Sequence, residues 1–125
     1  MPELDEGIRG ALQHGATIDI TTTGRITGSP RRIEIVFHHI EDRIWITGMP
    51  RAERTRAWLR NLEADPRFTF HLKGAVKADL PATARIVTDP VERRSILRRV
   101  ARLWRQDEDR MVAHSPLIEV DFGTG

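Results

Sequence analysis

Between Thr21 and Phe37 the chain reads as a strand, a polar turn and a second strand, and this stretch constrains the fold more than any other. It opens with three threonines, turns between Gly24 and Gly28, and then alternates apolar with charged residues. β-branched residues favour strands, and an alternation with a period of two is typical of a strand with one buried face. Glycines that tolerate positive φ permit a tight turn between the two strands. We therefore expect a β-hairpin here.

The turn of this hairpin carries positive charge and hydroxyl groups. Arg25, Arg31 and Arg32 flank Thr27 and Ser29. Guanidinium groups bind phosphate or carboxylate through two parallel hydrogen bonds, and successive backbone N–H groups near a glycine can form a concave anion site. From the residues alone, two interpretations stay open: a site for the anionic end of a cofactor, or a solvent-exposed basic hairpin without a ligand.

The composition excludes several classes of protein. A chain of 125 residues fits one domain over 1–125, with an N-terminal helical segment over 1–16 and a barrel with helices over 17–125. The net charge of +2 is too small to predict a nucleic-acid partner. The absence of cysteine excludes disulfides, thiol catalysis and thiolate zinc sites, and it fits a reducing, cytoplasmic location. No apolar run reaches membrane-spanning length.

Apolar periodicity predicts the remaining elements. Alternating residues predict strands over 18–23, 31–38, 44–47, 68–72, 76–87 and 117–122. Spacings of three and four residues predict helices over 4–12 and 53–64, and the run from Asp89 to Glu92 predicts the start of another helix. Residues 106–110 read as a charged connection. Together these elements predict an α+β fold, a closed or split β-barrel of about six mostly antiparallel strands with two or three helices.

None of the five histidines predicts a metal site. His38 and His39 are adjacent, so on a strand they point to opposite faces and cannot share a metal. His71 alternates with the apolar residues of the 68–72 strand, which predicts a solvent-facing side chain. The arginines of the last helix, within 93–105, are expected to be solvated; the alternative is contact with nucleic acid, which predicts binding that weakens steeply with salt.

Two longer motifs resemble a known family. The run from Thr21 to Arg32, Thr-Thr-Thr-Gly-Arg-x-Thr-Gly-x-Pro-Arg-Arg, leads into an aliphatic strand and resembles the signature of the flavin/deazaflavin-dependent oxidoreductases. The segment 57–66 is similar to the Trp-x-x-Asn-Leu-x-x-x-Pro segment of that family, and 84–89 matches the strand before its last helix. The closest likeness is to the deazaflavin-dependent nitroreductase branch, which has the split-barrel fold of pyridoxamine-phosphate oxidases.

The resemblance implies a cofactor that lies across the barrel with its phosphate end at the hairpin. Carried over by position, Arg25, Thr27 and Arg31 meet the phosphate, residues 34–37 flank the ring, and the helix around Trp58 closes the pocket. The implied cofactor-binding positions are Arg25, Ile26, Thr27, Arg31, Arg32, Ile33, Glu34, Ile35, Val36, Phe37, Thr47, Gly48, Met49, Trp58 and Asn61.

Two positions depart from the pattern of this family. Relatives that bind the deazaflavin usually have lysine where this chain has Ile26, and some have lysine at the position of Met49. Each charge-assisted contact is worth about 1.5–3 kcal/mol, so the departures remove two useful cations from the site of an anionic tail. Arg32 and Arg51 stand close enough in sequence to take their place.

The substrate end differs as well, because this chain has no tyrosine where nitroreductases of this type place tyrosines over the substrate. Trp104 and Met111 occupy that region and are the expected substrate contacts. His114 is the candidate proton donor there, since an unperturbed imidazole titrates near neutrality. No other catalytic residue is predicted, because a flavin-like cofactor carries the hydride chemistry itself.

The resemblance therefore implies an oxidoreductase that transfers hydride between a reduced deazaflavin (coenzyme F-420) and a small organic acceptor such as a quinone, a nitro compound or an activated alkene. FMN is the second cofactor because of the missing lysines, and the spacing of the histidines does not require haem. One alternative is a non-catalytic split-barrel module that binds a flavin, haem or a lipid-like ligand. Another is a chain that has lost its site and assembles with a partner. Both a monomer and a homodimer stay open.

Overall fold

Six antiparallel strands close into a barrel in the computed structural model, which describes residues 5–50 and 56–122. Around the barrel the strands follow the order β1-β2-β3-β6-β5-β4, and β4 pairs with β1 to close it. The strands are β1 (Ala16–Thr23), β2 (Pro30–Ile40), β3 (Arg43–Thr47), β4 (Arg67–Lys73), β5 (Lys77–Ile86) and β6 (Leu117–Asp121). The predicted α+β barrel is confirmed, and it is closed.

Residues that alternate along the strands fill the interior of the barrel. Ile18 and Ile20 of β1 are fully buried there, as is Phe37 of β2. The ring of Phe70 packs edge-on against Phe37, with centroids 5.3 Å apart. Burying one such side chain stabilises a fold by roughly 1.5–3 kcal/mol, and a slip of one residue would turn every inward side chain outward. The interior therefore fixes the register of β1 against β2.

The turn between β2 and β3 consists of Glu41 and Asp42, and both have positive φ, 54° and 60°. Two left-handed residues in succession match the twist of a tight hairpin, although Asn and Gly suit this backbone better. The register pairs Ile40 with Arg43 across the turn. The turn lies between the strands that the sequence predicts over 31–38 and 44–47.

Four helices accompany the barrel within the described part of the chain. They are α1 (Glu6–Leu12), α2 (Ala57–Ala64), α3 (Pro90–Trp104) and α4 (Glu108–His114). Leu12 of α1 and Trp58 and Leu62 of α2 join the barrel core. The starts predicted for these two helices, at residues 4 and 53, lie outside the described residues. None of the described helices is long and apolar enough to cross a membrane.

A second apolar core lies outside the barrel wall, under α3 and α4. Trp45 of β3 and Leu117 of β6 form it together with Val100 of α3 and Met111 of α4. The indole Nε1 of Trp45 donates to the carbonyl oxygen of Ile40 at 2.9 Å, so its polar atom is satisfied. α3 and α4 are thereby held against strands β2, β3 and β6.

The helix α4 occupies a stretch for which the sequence predicts a charged connection, and that prediction is wrong. Asp107 caps the helix by accepting a hydrogen bond from the backbone N–H of Arg110 at 3.1 Å. Met111 is its fully buried residue. A single buried residue produces no three- or four-residue spacing, so periodicity could not reveal this helix, and the described residues hold four helices instead of two or three.

The start of α3 is confirmed. Asp89 caps the helix by accepting from the backbone N–H of Glu92 at 2.9 Å, and Pro90 occupies the first turn. The carboxylate of Glu92 does not complete a capping box, because it binds Arg85 of β5 at 2.6 and 3.0 Å. The guanidinium of Arg85 lowers the pKa of Glu92. This ion pair fastens the first turn of α3 to the barrel.

Most of the arginines of α3 have partners within the molecule. The half-buried guanidinium of Arg93 donates to backbone carbonyl oxygens at the end of β5 and at the end of α4, and this partial burial lowers the pKa of Arg93. Arg94 and Arg98 pair with Glu108, at 2.6 and 3.7 Å, and Arg99 pairs with the β2–β3 turn. These intramolecular ion pairs neutralise part of the positive charge of α3.

His71 contradicts its prediction of a solvent-facing side chain, because the residue is only 7% exposed. It does point out of the barrel wall, but two neighbouring strands cover it. Its Nε2 lies 2.7 Å from Oγ1 of Thr21, and its Nδ1 lies 2.7 Å from Oδ1 of Asp79. Alternation along one strand predicts the face of a residue, whereas its burial depends on residues of the strands beside it.

Candidate functional site

The loop between β1 and β2 is a compact turn held by its own backbone. The N–H of Gly24 donates to Ser29 O, and the N–H of Gly28 donates to Gly24 O, both at 2.8 Å. Gly28 has a φ of +75°, a conformation that favours glycine. A Cβ on Gly24 would lie 2.9 Å from Ser29 O, so a side chain does not fit there. Thr27 Oγ1 accepts from the N–H of Ser29 at 3.2 Å.

Asn61 of α2 connects this loop and β1 to the helix. Its Oδ1 accepts from the backbone N–H of Arg25 at 3.1 Å and from Nη1 of the same residue at 3.4 Å. Its Nδ2 donates to Oγ1 of Thr22 at 3.0 Å. Asn61 and Thr22 are 3% and 2% exposed, so these are buried hydrogen bonds. The resemblance implies that Asn61 contacts the cofactor, and the structure places it in the wall of a cavity, almost fully buried.

A cavity of about 630 Å³ opens between the β1–β2 loop and α2; we call it the hairpin cavity. Its lining comprises Thr22, Gly24, Arg25, Ile26, Thr27, Pro30, Arg31, Arg32, Ile33, Ala57, Trp58 and Asn61. Three of these residues are arginines and none is acidic. Cations in a concave wall without acids favour an anionic ligand.

The three arginines of the hairpin cavity differ in how their side chains are engaged. Arg32 Nε donates to Oδ2 of Asp19 at 2.9 Å, and Arg25 contacts Asn61 as described above. The side chain of Arg31 makes no hydrogen bond or ion pair with any residue of 5–50 or 56–122. Its guanidinium is therefore the one most available to a ligand.

An ion cluster on the outer face of β1, β2 and β4 occupies Arg32. Lys73 Nζ donates to Oδ1 of Asp19 at 2.8 Å and also binds the carboxylate of Glu34. Lys73 and then Arg32 lower the pKa of Asp19. Glu34, expected beside the cofactor ring, thus lies in this outer cluster.

Trp58 belongs both to the barrel core and to the wall of the hairpin cavity. Its side chain is 8% exposed and belongs to the barrel core, and it also lines the hairpin cavity. An indole in this position can exclude water from one side of a ligand while its other side remains packed.

A second cavity, of about 400 Å³, lies farther along β2 against α3; we call it the lateral cavity. Its lining includes Val36, His38 and Trp104. The rings of His38 and Trp104 are 5.4 Å apart. Burial lowers the pKa of His38, and its Nε2 has no partner among the described residues. A buried neutral imidazole can donate or accept one hydrogen bond there, depending on its tautomer.

The structure brings together about half of the implied cofactor positions. The hairpin cavity collects Arg25, Ile26, Thr27, Arg31, Arg32, Ile33, Trp58 and Asn61. The lateral cavity is lined by Val36 and Phe37 and by the expected substrate residue Trp104. Neither lining includes Glu34, Ile35, Thr47, Gly48, Met49, Met111 or His114.

The end of β3 holds a cation that the sequence analysis missed. Arg56 lies against Gly48, where an added Cβ would be 3.0 Å from its Nε, and its Nη2 donates to Met49 O. Thr47 donates its hydroxyl to the carbonyl oxygen of Pro116. Arg51, the expected substitute for a lysine here, lies outside the described residues. No local pattern distinguishes Arg56, because its contact is with a backbone carbonyl, which no sequence motif marks.

Two residues assigned to the substrate end line neither of the two cavities. Met111 is completely buried in the second core, where it cannot touch a ligand without repacking. His114 ends α4 and is exposed. His38, which the sequence analysis considered only as a metal ligand, is the histidine that lines a cavity. The described residues contain no group of three His, Cys, Asp or Glu arranged to hold a metal.

The family model described as F420H(2)-dependent quinone reductase matches residues 3–120, so the chain belongs to that family. The chain is accordingly a deazaflavin-dependent reductase by class. The resemblance seen in the two sequence motifs is confirmed.

Solved structures of low sequence identity share the fold. An F420-H2 dependent reductase is 17% identical with a TM-score of 0.60, over 84% of this chain and 93% of that one. A putative pyridoxamine 5'-phosphate oxidase from Listeria innocua is 17% identical with a TM-score of 0.66, over 95% and 93%. The heme storage protein HutZ from Vibrio cholerae is 15% identical with a TM-score of 0.69, over 99% and 93%. Such different descriptions on one fold mean that the barrel alone does not select a cofactor.

Proposed function

We propose that this chain transfers hydride from reduced coenzyme F-420 to a small organic acceptor, and that the anionic end of the coenzyme binds in the hairpin cavity. One observation carries the proposal: Arg31, without a partner among the described residues, faces a cavity of about 630 Å³ whose lining has three arginines and no acid. The motif match to the family supports the identity of the coenzyme.

The residues present suit the anionic end of such a coenzyme. Arg31 offers a guanidinium that can bind a phosphate through two hydrogen bonds, and Arg25 lies on the same wall. A charge-assisted hydrogen bond is worth about 1.5–3 kcal/mol. The first turn of α2 borders the cavity at Ala57, and its N-cap residue Arg56 makes no side-chain capping bond. The positive end of a helix dipole favours an anion nearby.

The lateral cavity is the proposed place of the acceptor. A bound reduced deazaflavin supplies the hydride, so the protein has to orient the acceptor and exclude water. Trp104 presents an aromatic surface to a flat quinone or nitroaromatic compound, and His38 offers one hydrogen bond. From Arg31 to Val36 the strand advances roughly 16 Å, a span that an extended coenzyme can bridge.

The decisive experiment is a binding titration of the purified protein with coenzyme F-420, FMN, FAD and haem, followed by turnover with menadione and a nitroaromatic compound. We expect coenzyme F-420 to bind most tightly and its reduced form to be oxidised when an acceptor is added, as followed by absorbance. Tighter binding of FMN would make FMN, and not coenzyme F-420, the cofactor of this chain. Tight binding without oxidation would favour the non-catalytic module, and binding of none of the four would favour a chain that has lost its site.

A homodimer belongs to this proposal as well. The outer face of β1, β2 and β4 carries the ion cluster of Asp19, Arg32, Glu34 and Lys73, and both signs of charge are present on it. A two-fold axis brings the same face of each copy together, so a mixed-charge face can complement itself. Light scattering coupled to size exclusion distinguishes a dimer of 28.6 kDa from the 14.3 kDa chain, the former being twice the latter.

A further inference from the structure

We infer that Asn61 is a positioning residue, which binds the protein's own loop rather than the coenzyme and thereby sets both Arg25 and the width of the hairpin cavity. This inference rests on the proposed function, because it explains how that cavity is prepared for an anion. The resemblance implies that Asn61 contacts the ligand, whereas this inference makes Asn61 a link between α2, β1 and the β1–β2 loop.

The side-chain hydrogen bonds of Asn61 all end on residues of the cavity wall. Its Oδ1 receives the backbone N–H and Nη1 of Arg25, at 3.1 and 3.4 Å, so the acceptor oxygen already has two donors. Its Nδ2 reaches Thr22 at 3.0 Å. With 3% of its surface exposed, Asn61 offers little to an incoming ligand. A ligand would have to displace buried hydrogen bonds to contact the amide oxygen.

The residues to which the side chain of Asn61 is hydrogen-bonded lie in the wall where the proposed anion binds. Arg25 contributes one of the cations of the wall. Thr22 is the register partner of Arg31 across β1 and β2, so the amide is anchored next to the strand pair that carries the second cation. One side chain of α2 thus connects to both arginines, directly to Arg25 and through Thr22 to the position of Arg31.

The local structure of α2 makes this link necessary. The helix has eight residues and no side-chain capping bond at Arg56, and helices this short are marginal without tertiary contacts. Trp58 and Leu62 attach it to the barrel through apolar contacts, which are not directional. The amide of Asn61 adds directional bonds, and those fix where α2 lies relative to the loop.

The test separates positioning from direct contact by altering the link without altering Asn61. Thr22→Val is isosteric and removes the hydroxyl that Nδ2 reaches, whereas Thr22→Ser retains it. If Asn61 acts by position, Thr22→Val weakens binding of coenzyme F-420 by about threefold to tenfold, and Thr22→Ser stays within about twofold of the wild type. Thr17→Val, at an exposed position of the same strand, is the matched control and leaves the affinity unchanged.

A double-mutant cycle gives a second readout. Asn61→Ala weakens binding of coenzyme F-420 by about tenfold in the wild-type background, and by less than about threefold in the Arg25→Ala background, because its effect passes through Arg25. Equal losses in both backgrounds, together with an unaltered affinity of Thr22→Val, would overturn the inference in favour of direct contact. Circular dichroism confirms that each variant is folded before its affinity is compared.

Amide exchange is measured on the ligand-free protein, so it tests the role of Asn61 independently of the proposed function. The backbone N–H of Arg25 is bonded to Asn61 Oδ1, so we expect it to exchange faster with solvent in Thr22→Val than in the wild type. Failure of the wild type to bind coenzyme F-420 would refute the proposed function alone, and the exchange rate would then decide the inference. An unchanged rate in Thr22→Val would refute the link.

Discussion

Arg32 Nε lies 2.9 Å from Oδ2 of Asp19, whereas Arg31, the preceding residue, faces the hairpin cavity and has no partner among the described residues. Successive side chains of a strand point to opposite faces, and this separates the two guanidinium groups. One is committed to the outer ion cluster with Lys73, and the other is available to a ligand. Two arginines that look alike in the sequence therefore have different expected roles.

Replacement of Arg31 tests the proposed anion site. Arg31→Ala should weaken binding of coenzyme F-420 at least about tenfold, because one charge-assisted contact of about 1.5–3 kcal/mol is lost. Arg32→Ala should cost about threefold or less, since Asp19 already engages that side chain. Arg102→Ala, on the surface of α3, serves as the control for charge and should bind like the wild type. Fluorescence titration gives the affinities, and equal losses for Arg31 and Arg32 would contradict the assignment.

Replacement of the exposed Ile26 by lysine is expected to increase the affinity for coenzyme F-420. Its side chain is 84% exposed at the rim of the hairpin cavity, where the resemblance leads us to expect lysine. Ile26→Lys should tighten binding of coenzyme F-420 by about twofold to fivefold, because a solvent-exposed ion pair contributes about 0.2–1 kcal/mol. Ile26→Gln removes the apolar side chain without adding charge and should leave the affinity unchanged. Titrations in low and high salt provide the check, since screening should erase the gain of the lysine variant alone.

Periodicity along the chain was sufficient to predict the barrel, because its strands alternate apolar and polar residues around one interior. It failed for α4, whose single fully buried residue, Met111, gives no helical spacing. It also failed for His71, which lies on the expected face but is covered by Thr21 and Asp79. Both failures concern contacts between segments that are distant in sequence.

The candidate site was predictable only where local motifs carry it. The glycines and arginines of the β1–β2 loop indicate an anion site as one of two interpretations that the residues alone leave open. The hydrogen bond from Asn61 to Thr22 joins residues 39 positions apart, so no pattern in the sequence indicates Thr22 as a partner. Arg56 was missed because its contact is with the backbone carbonyl of Met49, and no sequence motif marks such a contact.

The buried His38 predicts how stability depends on pH. Burial lowers its pKa below the ordinary value of 6.5, so the unfolded chain binds this proton more readily than the folded one. The free energy of unfolding should therefore fall as the pH drops from neutrality through 6.5, until the folded imidazole is itself protonated. His38→Phe should flatten this part of the profile, whatever its effect on absolute stability.

Thermal unfolding of the wild type and of His38→Phe between neutral pH and pH 5 measures this dependence. Thr17→Val, which leaves the imidazole in place, should show the wild-type slope. Parallel profiles for the wild type and His38→Phe would mean that the lateral cavity does not disfavour the charged imidazole.

The β2–β3 turn offers a stabilising substitution, since Asp42 has a φ of 60°. A left-handed backbone costs a residue with a Cβ roughly 1–2 kcal/mol, and glycine avoids that cost while losing about 0.5–1 kcal/mol of chain entropy. Asp42→Gly should therefore raise the stability by about 0.5–1 kcal/mol and the Tm by roughly 2–5 °C. The ion pair of Asp42 with His39, at 3.8 Å and fully exposed on the aspartate side, contributes little to offset this gain. Asp42→Ala removes the same carboxylate but keeps a Cβ, so a Tm gain equal to that of Asp42→Gly would show that backbone strain is not the cause.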